Sequence, residues 1–444
     1  MHNISIFGTS SDAGKSTVTF VVAKMLQDLG FSVAPFKAQN VSNNAMVCED
    51  GSEIAVAQYF QSEVLGITPT YHINPILLKS GRKSSASLIV NGKSVATKDV
   101  RAYYRDLERL KPIVKKAFSY LDERYDCVVA EGAGSPVELN LMDKDLSNIY
   151  IATEFNTKII LVADIEKGGV FASIWGVYNL LPKQLKKNVV GVIVNKFRGD
   201  LSLFDEGIRI IEEEFMIPVL GVLPYIPFNL GFEDSQSLIN YQQKSLPDAK
   251  KVGVIAYPTM SNYNDFEPLI ADEAILLEFV QSHIDLSKFD QIILPGSKLV
   301  VEDLLWLKAS GLFEQLQEYQ GEILGICGGF QMMFNQINDQ EMIESATPIT
   351  IRGLGFIDDE IIFQREKIVR RGNYHIFGRM IDGFEIHHGI SHKYPLYYQA
   401  ENIKGTFVHG LFNDDKFKAH KRSQIDHFVD QMSRRVDLKR VLVC

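Results

Sequence analysis

Cysteine is scarce and scattered in this chain of 444 residues: Cys48, Cys127, Cys327 and Cys444 stand far apart, with no Cys-x-x-Cys pair. Such spacing gives neither a zinc site nor a disulfide framework and fits a reducing compartment. No apolar run approaches the roughly eighteen residues that a membrane span needs. Ile4–Phe7 is a strand-length run that leads straight into a glycine-containing loop, so no signal peptide is read at the start. Positive charge is also short. A formal net charge of −9 argues against a general nucleic-acid or anionic-membrane binder, while leaving room for a local basic pocket. Repeats and low-complexity tracts are absent. The expected location is the cytoplasm.

Apolar residues, by contrast, are plentiful. At 46% of the chain they can build large cores, and the length exceeds what one core ordinarily supports. The first half alternates short apolar runs with helical patterns. Strands are expected at Asn3–Phe7, Ser32–Pro35, Cys127–Ala130, Ile159–Ala163, Val189–Val194 and Val219–Val222, and helices at Thr17–Leu29 and Leu110–Arg124. This rhythm predicts a parallel sheet covered by helices on both faces. A polar break with proline at Ser245–Lys250 predicts a boundary, giving an α/β domain over 1–245 and a second over 250–435. The second half offers strands at Val252–Ala256, Gln291–Leu294 and Glu322–Ile326. β-rich stretches follow at Arg352–Phe363, His375–Ile381 and Gly405–Val408, then a terminal helix at Lys416–Arg435.

Near the start, Gly8-Thr9-Ser10-Ser11-Asp12-Ala13-Gly14-Lys15-Ser16 reads as a phosphate-cradling loop between strand and helix. Its glycines enclose five residues rather than four, so Thr9 takes the place of the first glycine of the usual pattern. Lys15 would neutralise the β- and γ-phosphates of ATP, and the Ser16 hydroxyl would ligate Mg²⁺. The apolar strand ending in Ala130-Glu131-Gly132 delivers Glu131 as a second Mg²⁺ ligand, unless it merely caps the next helix. Asn195, closing the strand Val192–Val194, could read the adenine edge or simply form a turn.

Gly325-Ile326-Cys327-Gly328-Gly329-Phe330-Gln331 predicts a cysteine nucleophile on a sharp turn between a strand and a helix beginning at Phe330–Asn335. Its base is expected to be His409, held rigidly after Gly405–Val408. His387 and His388 are read as substrate-side or structural. Gly296, in Leu294-Pro295-Gly296-Ser297-Lys298, and Gly328 are expected to supply backbone N–H groups to an oxyanion, with Gln331 beside the glutamine. A thiol that attacks an amide and a loop that holds ATP together suggest ammonia transfer from glutamine to an activated carboxylate.

These motifs carry a resemblance. Gly-Ile-Cys-Gly-Gly-Phe-Gln with the later Val408-His409-Gly410 resembles class I, triad-type glutamine amidotransferases, and the first loop resembles that of dethiobiotin synthetase. In this order, the whole chain resembles the cobyric acid synthases of the cobalamin pathway. Further blocks include Ala34-Pro35-Phe36-Lys37-Ala38-Gln39-Asn40, Asn74-Pro75-Ile76-Leu77-Leu78-Lys79, Asp164-Ile165-Glu166-Lys167-Gly168-Gly169 and Asn195-Lys196-Phe197-Arg198-Gly199-Asp200. The resemblance implies amidation of the b, d, e and g carboxylates of adenosylcobyrinic acid a,c-diamide, with glutamine, ATP and Mg²⁺ consumed or bound. Leu299-Val300, Met142 and Ile390 depart from the family, the last two standing where it usually has arginine. Leu411 stands where triad enzymes carry a glutamate, so His409 must be held by a backbone carbonyl or another side chain. A weakly supported Cys327–His409 pair is therefore expected, with slow glutamine hydrolysis when the synthetase site is empty. Two rivals remain: cobyrinic acid a,c-diamide synthase, and a nucleotide switch of the ParA/MinD kind, which has no use for Cys327.

Overall fold

The structure, a computed structural model, describes residues 1–80, 85–99, 107–227 and 246–443. Cys444 and Ser245, the first residue of the expected boundary Ser245–Lys250, lie outside them. The chain forms two compact units that are not contiguous in sequence. The first comprises residues 1–42, 57–227 and the stretch from His420 onward; the second comprises Asn43–Val56 and 246–419. This differs from the division at 245/250 in two segments. Neither carries a composition signal, since each is placed by its packing partners.

The first unit is built on a six-stranded parallel sheet. Its order is Val219–Pro224, Val189–Phe197, Lys158–Asp164, Ile4–Gly8, Cys127–Glu131, Val33–Phe36. These are the six strands expected for this half. Their side chains are nearly all buried, as strands covered on both faces require. The helix Lys111–Asp122 presents Val114, Ala117, Phe118 and Leu121 at helical spacing and packs them with Phe36 and Val128. On a second cluster, Ile174 and Val177 of the helix Val170–Leu180 meet Leu161 and Val192. Each such buried side chain contributes about 1.5–3 kcal/mol. A further four-stranded sheet, Gln39–Val41, Ile76–Ser80, Ser85–Val90 and Lys93–Asp99, was not expected from the sequence.

The parallel register brings the functional strand ends to one rim. Glu131 lies opposite Ile6, Gly8 opposite Val162, and Asp164 opposite Asn195. In open α/β sheets this carboxyl edge is where ligands bind.

The second unit holds another six-stranded sheet, ordered Ile275–Val280, Lys250–Ile255, Gln291–Leu294, Glu322–Ile326, Ile403–Thr406, Tyr397–Ala400. All but the last strand are parallel. A five-stranded sheet accompanies it, dominated by the hairpin of Ile357–Ile376 and Arg379–Ile390. Its two-residue turn, Phe377-Gly378, has positive φ at both positions, which matches the twist of the flanking strands. The sequence predicts two separate stretches, Arg352–Phe363 and His375–Ile381, because polar residues interrupt the middle of the strand that runs from Ile357 to Ile376. Two further differences concern helices. The helix after Cys327 is only Gly328–Met332, because Phe334 enters the strand Phe334–Asp339. The tail helix spans Asp415–Ser433.

A hairpin from early in the sequence completes the second unit. Ala45–Val47 pairs with Glu53–Ala55, and Asn44 Oδ1 accepts from the Asn262 backbone N–H at 2.7 Å. The Asn262 amide in turn donates to the Ala45 carbonyl at 2.9 Å. Glu53 forms a buried ion pair with Lys367 at 2.8 Å. Among the described residues, no helix is long and apolar enough to cross a membrane.

Candidate active sites

In the first unit, the loop from Thr9 to Gly14 leaves the strand Ile4–Gly8 and enters the helix Lys15–Asp28. The Thr9 N–H is anchored on the Val162 carbonyl at 2.8 Å. Asp12 and Gly14 both have positive φ, which turns the chain so that the helix start faces the loop's concavity. At Gly14 any side chain is excluded, since a Cβ would stand 2.1 Å from Asn195 Nδ2. The Asn195 amide donates to the Ala13 carbonyl at 2.9 Å and so braces the loop from below. Lys15 is buried and folds over the loop, donating to the Ser10 carbonyl at 3.2 Å. Ser10 and Ser11 lie between these anchors.

Glu131 is the hub of this site. Its Oε1 accepts from Ser16 Oγ and from Lys37 Nζ, both at 2.8 Å, and its Oε2 accepts from Gln61 Nε2 at 2.8 Å. Ser16 and Glu131 therefore form an adjacent hydroxyl and carboxylate pair, the hard oxygen donors that Mg²⁺ takes alongside substrate phosphates. Lys37 and Gln61 were not among the expected site residues. Lys37 was legible only as part of a family block, and Gln61 sits in an unremarked helix, Val56–Leu65. Asp164 is a further buried carboxylate on the same rim, accepting from Lys196 Nζ at 3.0 Å and from the Glu166 N–H at 2.8 Å.

In the second unit, Cys327 follows the strand Glu322–Ile326 with φ 50° and ψ −105°, a conformation costly for a residue with a side chain. Strain at this point is what a sharp turn presenting the thiol demands. The Cys327 N–H is held by the Thr406 carbonyl at 2.8 Å, and Sγ rests 3.8 Å from the Ile386 carbonyl. Gly328 is dictated by close approach: a Cβ there would lie 2.6 Å from the Ser297 backbone N. Gly296 lies against the His409 ring, 3.1 Å separating its notional Cβ from Cε1. Gln331 is buried, and its Oε1 has no hydrogen-bond partner.

Strand register explains why Cys327 and His409 share one end. Ile326 pairs with Thr406, so both residues emerge just beyond the same edge of the sheet. His409 is fully buried, with the Phe384 ring stacked on it at 5.1 Å between centroids. Its Nδ1 lies 2.6 Å from Asp265 Oδ2, and the other oxygen of that carboxylate accepts from the Gly410 N–H at 2.9 Å. Burial works against a charged imidazole here. The Asp265 carboxylate and the Cys327 sulfur more than offset it and hold the His409 pKa up at about 10. Its Nε2 makes no conventional hydrogen bond. The weak support expected for His409 is thus not what the structure shows. Leu411 is buried and apolar, but a carboxylate arrives from 144 residues earlier in the chain.

The neighbouring histidines are engaged elsewhere. His387 contacts the Gly389 carbonyl at 2.7 Å and the buried Glu385 carboxylate at 3.4 Å. His388 contacts the Gln364 carbonyl at 3.0 Å, and burial with the nearby Lys367 charge lowers its pKa to about 4. Ile390 ends the strand Arg379–Ile390, and Met142 lies in the short helix Met142–Lys144.

Comparison with known proteins fits both halves. Residues 4–230 match the CobQ/CobB/MinD/ParA nucleotide-binding domain, and residues 251–417 match the CobB/CobQ-like glutamine amidotransferase domain. A cobyric acid synthase of Acinetobacter baylyi is 62% identical, covering 100% of this chain and 99% of its own length. Another from Prochlorococcus marinus is 38% identical over 94% of this chain and 88% of its own. A probable cobyric acid synthase of Picrophilus torridus is 38% identical over 94% and 91%. The chain belongs to the cobyric acid synthase family. It is an enzyme, a ligase that contains a glutamine amidotransferase domain. The amidotransferase match removes the bare nucleotide switch, whose branch shares only the first domain.

Proposed function

We propose that this chain converts adenosylcobyrinic acid a,c-diamide to adenosylcobyric acid in the cytoplasm, amidating the b, d, e and g carboxylates with nitrogen from glutamine. The observation that carries this reading is the pairing, along one chain related over its full length to cobyric acid synthases, of two sites. One is a buried thiol with an imidazole; the other is a Gly-Lys-Ser loop facing a buried carboxylate. In the glutaminase step the Cys327 thiolate attacks the side-chain carbonyl of glutamine. N–H groups of Gly328 and the Gly296–Ser297 turn receive the developing oxyanion. Protonated His409 gives its proton to the departing nitrogen, ammonia leaves, and a thioester remains on Cys327. Water then attacks that thioester with His409 as base, releasing glutamate and restoring the thiol.

In the synthetase step a corrinoid carboxylate oxygen attacks the γ-phosphoryl of ATP, ADP leaves, and an acyl phosphate forms. Ammonia displaces phosphate from it to give the amide. Lys15 and the loop N–H groups hold the phosphates, and Lys37 adds a second buried cation beside Glu131. Ser16 and Glu131 would hold Mg²⁺, which when bound neutralises charge on the β- and γ-phosphates. The test is incubation with adenosylcobyrinic diamide, glutamine and ATP-Mg, with products read by mass. A gain of four amides is expected. No gain with this substrate, but two amides added to cobyrinic acid, would transfer the assignment to the a,c-diamide synthase.

A further inference from the structure

We propose that Asp265 is the positioning acid of the glutaminase site, fixing the His409 ring so that Nδ1 carries a proton and Nε2 is left to exchange one with Cys327. The inference rests on the assignment of Cys327 and His409 as the glutaminase pair. Its grounds are geometric. Both oxygens of Asp265 are committed to the histidine segment, one to the ring at 2.6 Å and one to the Gly410 N–H at 2.9 Å. A carboxylate has no proton to donate at neutral pH, so at 2.6 Å the shared hydrogen belongs to Nδ1. Nε2 is thereby the basic nitrogen of the neutral ring. The Phe384 ring and the Gly296 backbone hold the imidazole plane from its sides.

Asp265 is itself held by a built turn. It sits in the short helix Tyr263–Phe266, entered through Asn262 in a left-handed conformation, φ 59°. Asn262 is tied to the hairpin by its N–H on Asn44 and its amide on Ala45. Among the described residues, the titratable groups acting on the His409 ring are Asp265 and Cys327. An acid at this point also holds the ring's charged form. The imidazolium is thereby held through neutral pH and gives up its proton only as pH rises through about 10. The usual position for such an acid, Leu411, is buried at 3% exposure among apolar neighbours, where a glutamate would carry a desolvation cost.

The test is Asp265→Asn. The amide can keep the Gly410 hydrogen bond through its oxygen but offers an N–H to Nδ1. That forces the ring proton onto Nε2, the wrong tautomer for a base. Glutamine-dependent synthesis should fall by about 10²–10⁴-fold, while synthesis with high ammonium is kept. Alkylation of Cys327 by iodoacetamide, followed peptide by peptide, should shift its midpoint to higher pH, because the thiolate loses its charged partner. Cys48 and Cys127 are silent in that assay, since burial pushes both thiols up to about 12. Undiminished glutamine use, or a loss of turnover with no movement of the alkylation midpoint, would overturn the proposal. Cys327→Ala separates the two levels: if that variant still uses glutamine, the underlying assignment fails, whatever Asp265 does. Should Asp265→Asn lose ammonia-driven activity as well, the wild-type protein decides. A strongly deshielded, slowly exchanging imidazole N–H, absent in His409→Ala, is expected from the His409–Asp265 bond, and its absence in the wild type refutes the idea.

Discussion

Replacing Lys37 by methionine should unfold the first unit more easily and stop synthesis, and a second substitution should repair only the first of these effects. The Lys37 and Glu131 side chains are 6% and 1% exposed, with Nζ and Oε1 2.8 Å apart. Removing one partner of a buried pair typically costs about 3–5 kcal/mol, because the remaining charge is left in a poor solvent. Glu131 would keep two donors, Ser16 Oγ and Gln61 Nε2, which places the loss at the low end, about 3 kcal/mol. For a unit of this size 1 kcal/mol shifts the melting temperature by about 2–4 °C, so a fall of roughly 6–12 °C is expected by calorimetry. The double variant Lys37→Met/Glu131→Gln removes both charges and should recover most of that fall. It should not regain synthesis from ammonium, since the buried cation and the carboxylate both serve phosphoryl transfer. A single variant that melts like the wild type, or a double variant no more stable than the single, would refute this role for the Lys37–Glu131 pair.

Three further outcomes follow from the sites. Lys15→Ala should abolish synthesis with either glutamine or ammonium, measured as corrinoid amidation, because it acts before any nitrogen source is used; appreciable ammonium-driven product would contradict the loop's role. Cys327→Ala, or Cys327→Ser, should eliminate glutamine-dependent synthesis and spare ammonium-driven synthesis in the same assay. Gly389→Ala would place a Cβ 2.2 Å from Gln331 Oε1 and 2.7 Å from Ile361 Cγ2. Overpacking of that kind costs about 1–3 kcal/mol. It should appear as a lower melting temperature together with a reduced kcat/KM for glutamine, as Gln331 is displaced, with ammonium-driven rates unchanged.

The parts legible in the sequence were those written locally. The phosphate loop, Cys327 and the strand that delivers Glu131 each announce themselves within a dozen residues, because a tight turn between strand and helix needs glycines in a fixed order. Asp265 had no such signature. Its segment, Ser261-Asn262-Tyr263-Asn264-Asp265, reads as an ordinary polar turn, and only the missing acid at Leu411 hinted that a carboxylate had to come from elsewhere. Lys37 was hidden because a lysine after an apolar strand reads as solvated; its burial depends on Glu131, 94 residues later. The sequence predicts a longer helix after Cys327 because Phe334 and Asn335 suit either a helix or the strand they begin. The short strands Gln39–Val41 and Ala45–Val47, three residues each, fall below the length at which alternation can be seen.

The hairpin Asn43–Val56 means that inheritance and architecture run on different boundaries in this protein. A gene fragment starting near residue 250 would encode every residue of the Cys327–His409–Asp265 line, yet would leave behind the strands on which Asn262 is moored and the Glu53 that neutralises Lys367. Such a fragment is expected to be a poor glutaminase, and the missing strands added as a separate peptide would have to find their place without the tether that now supplies them. A chimaera of two family members would likewise need its residues 43–56 from the parent that gives its amidotransferase half. Residues 43–56 and the tail from His420 onward each belong with the unit that the other half of the sequence mostly builds, so a lineage can exchange either half only by recutting both.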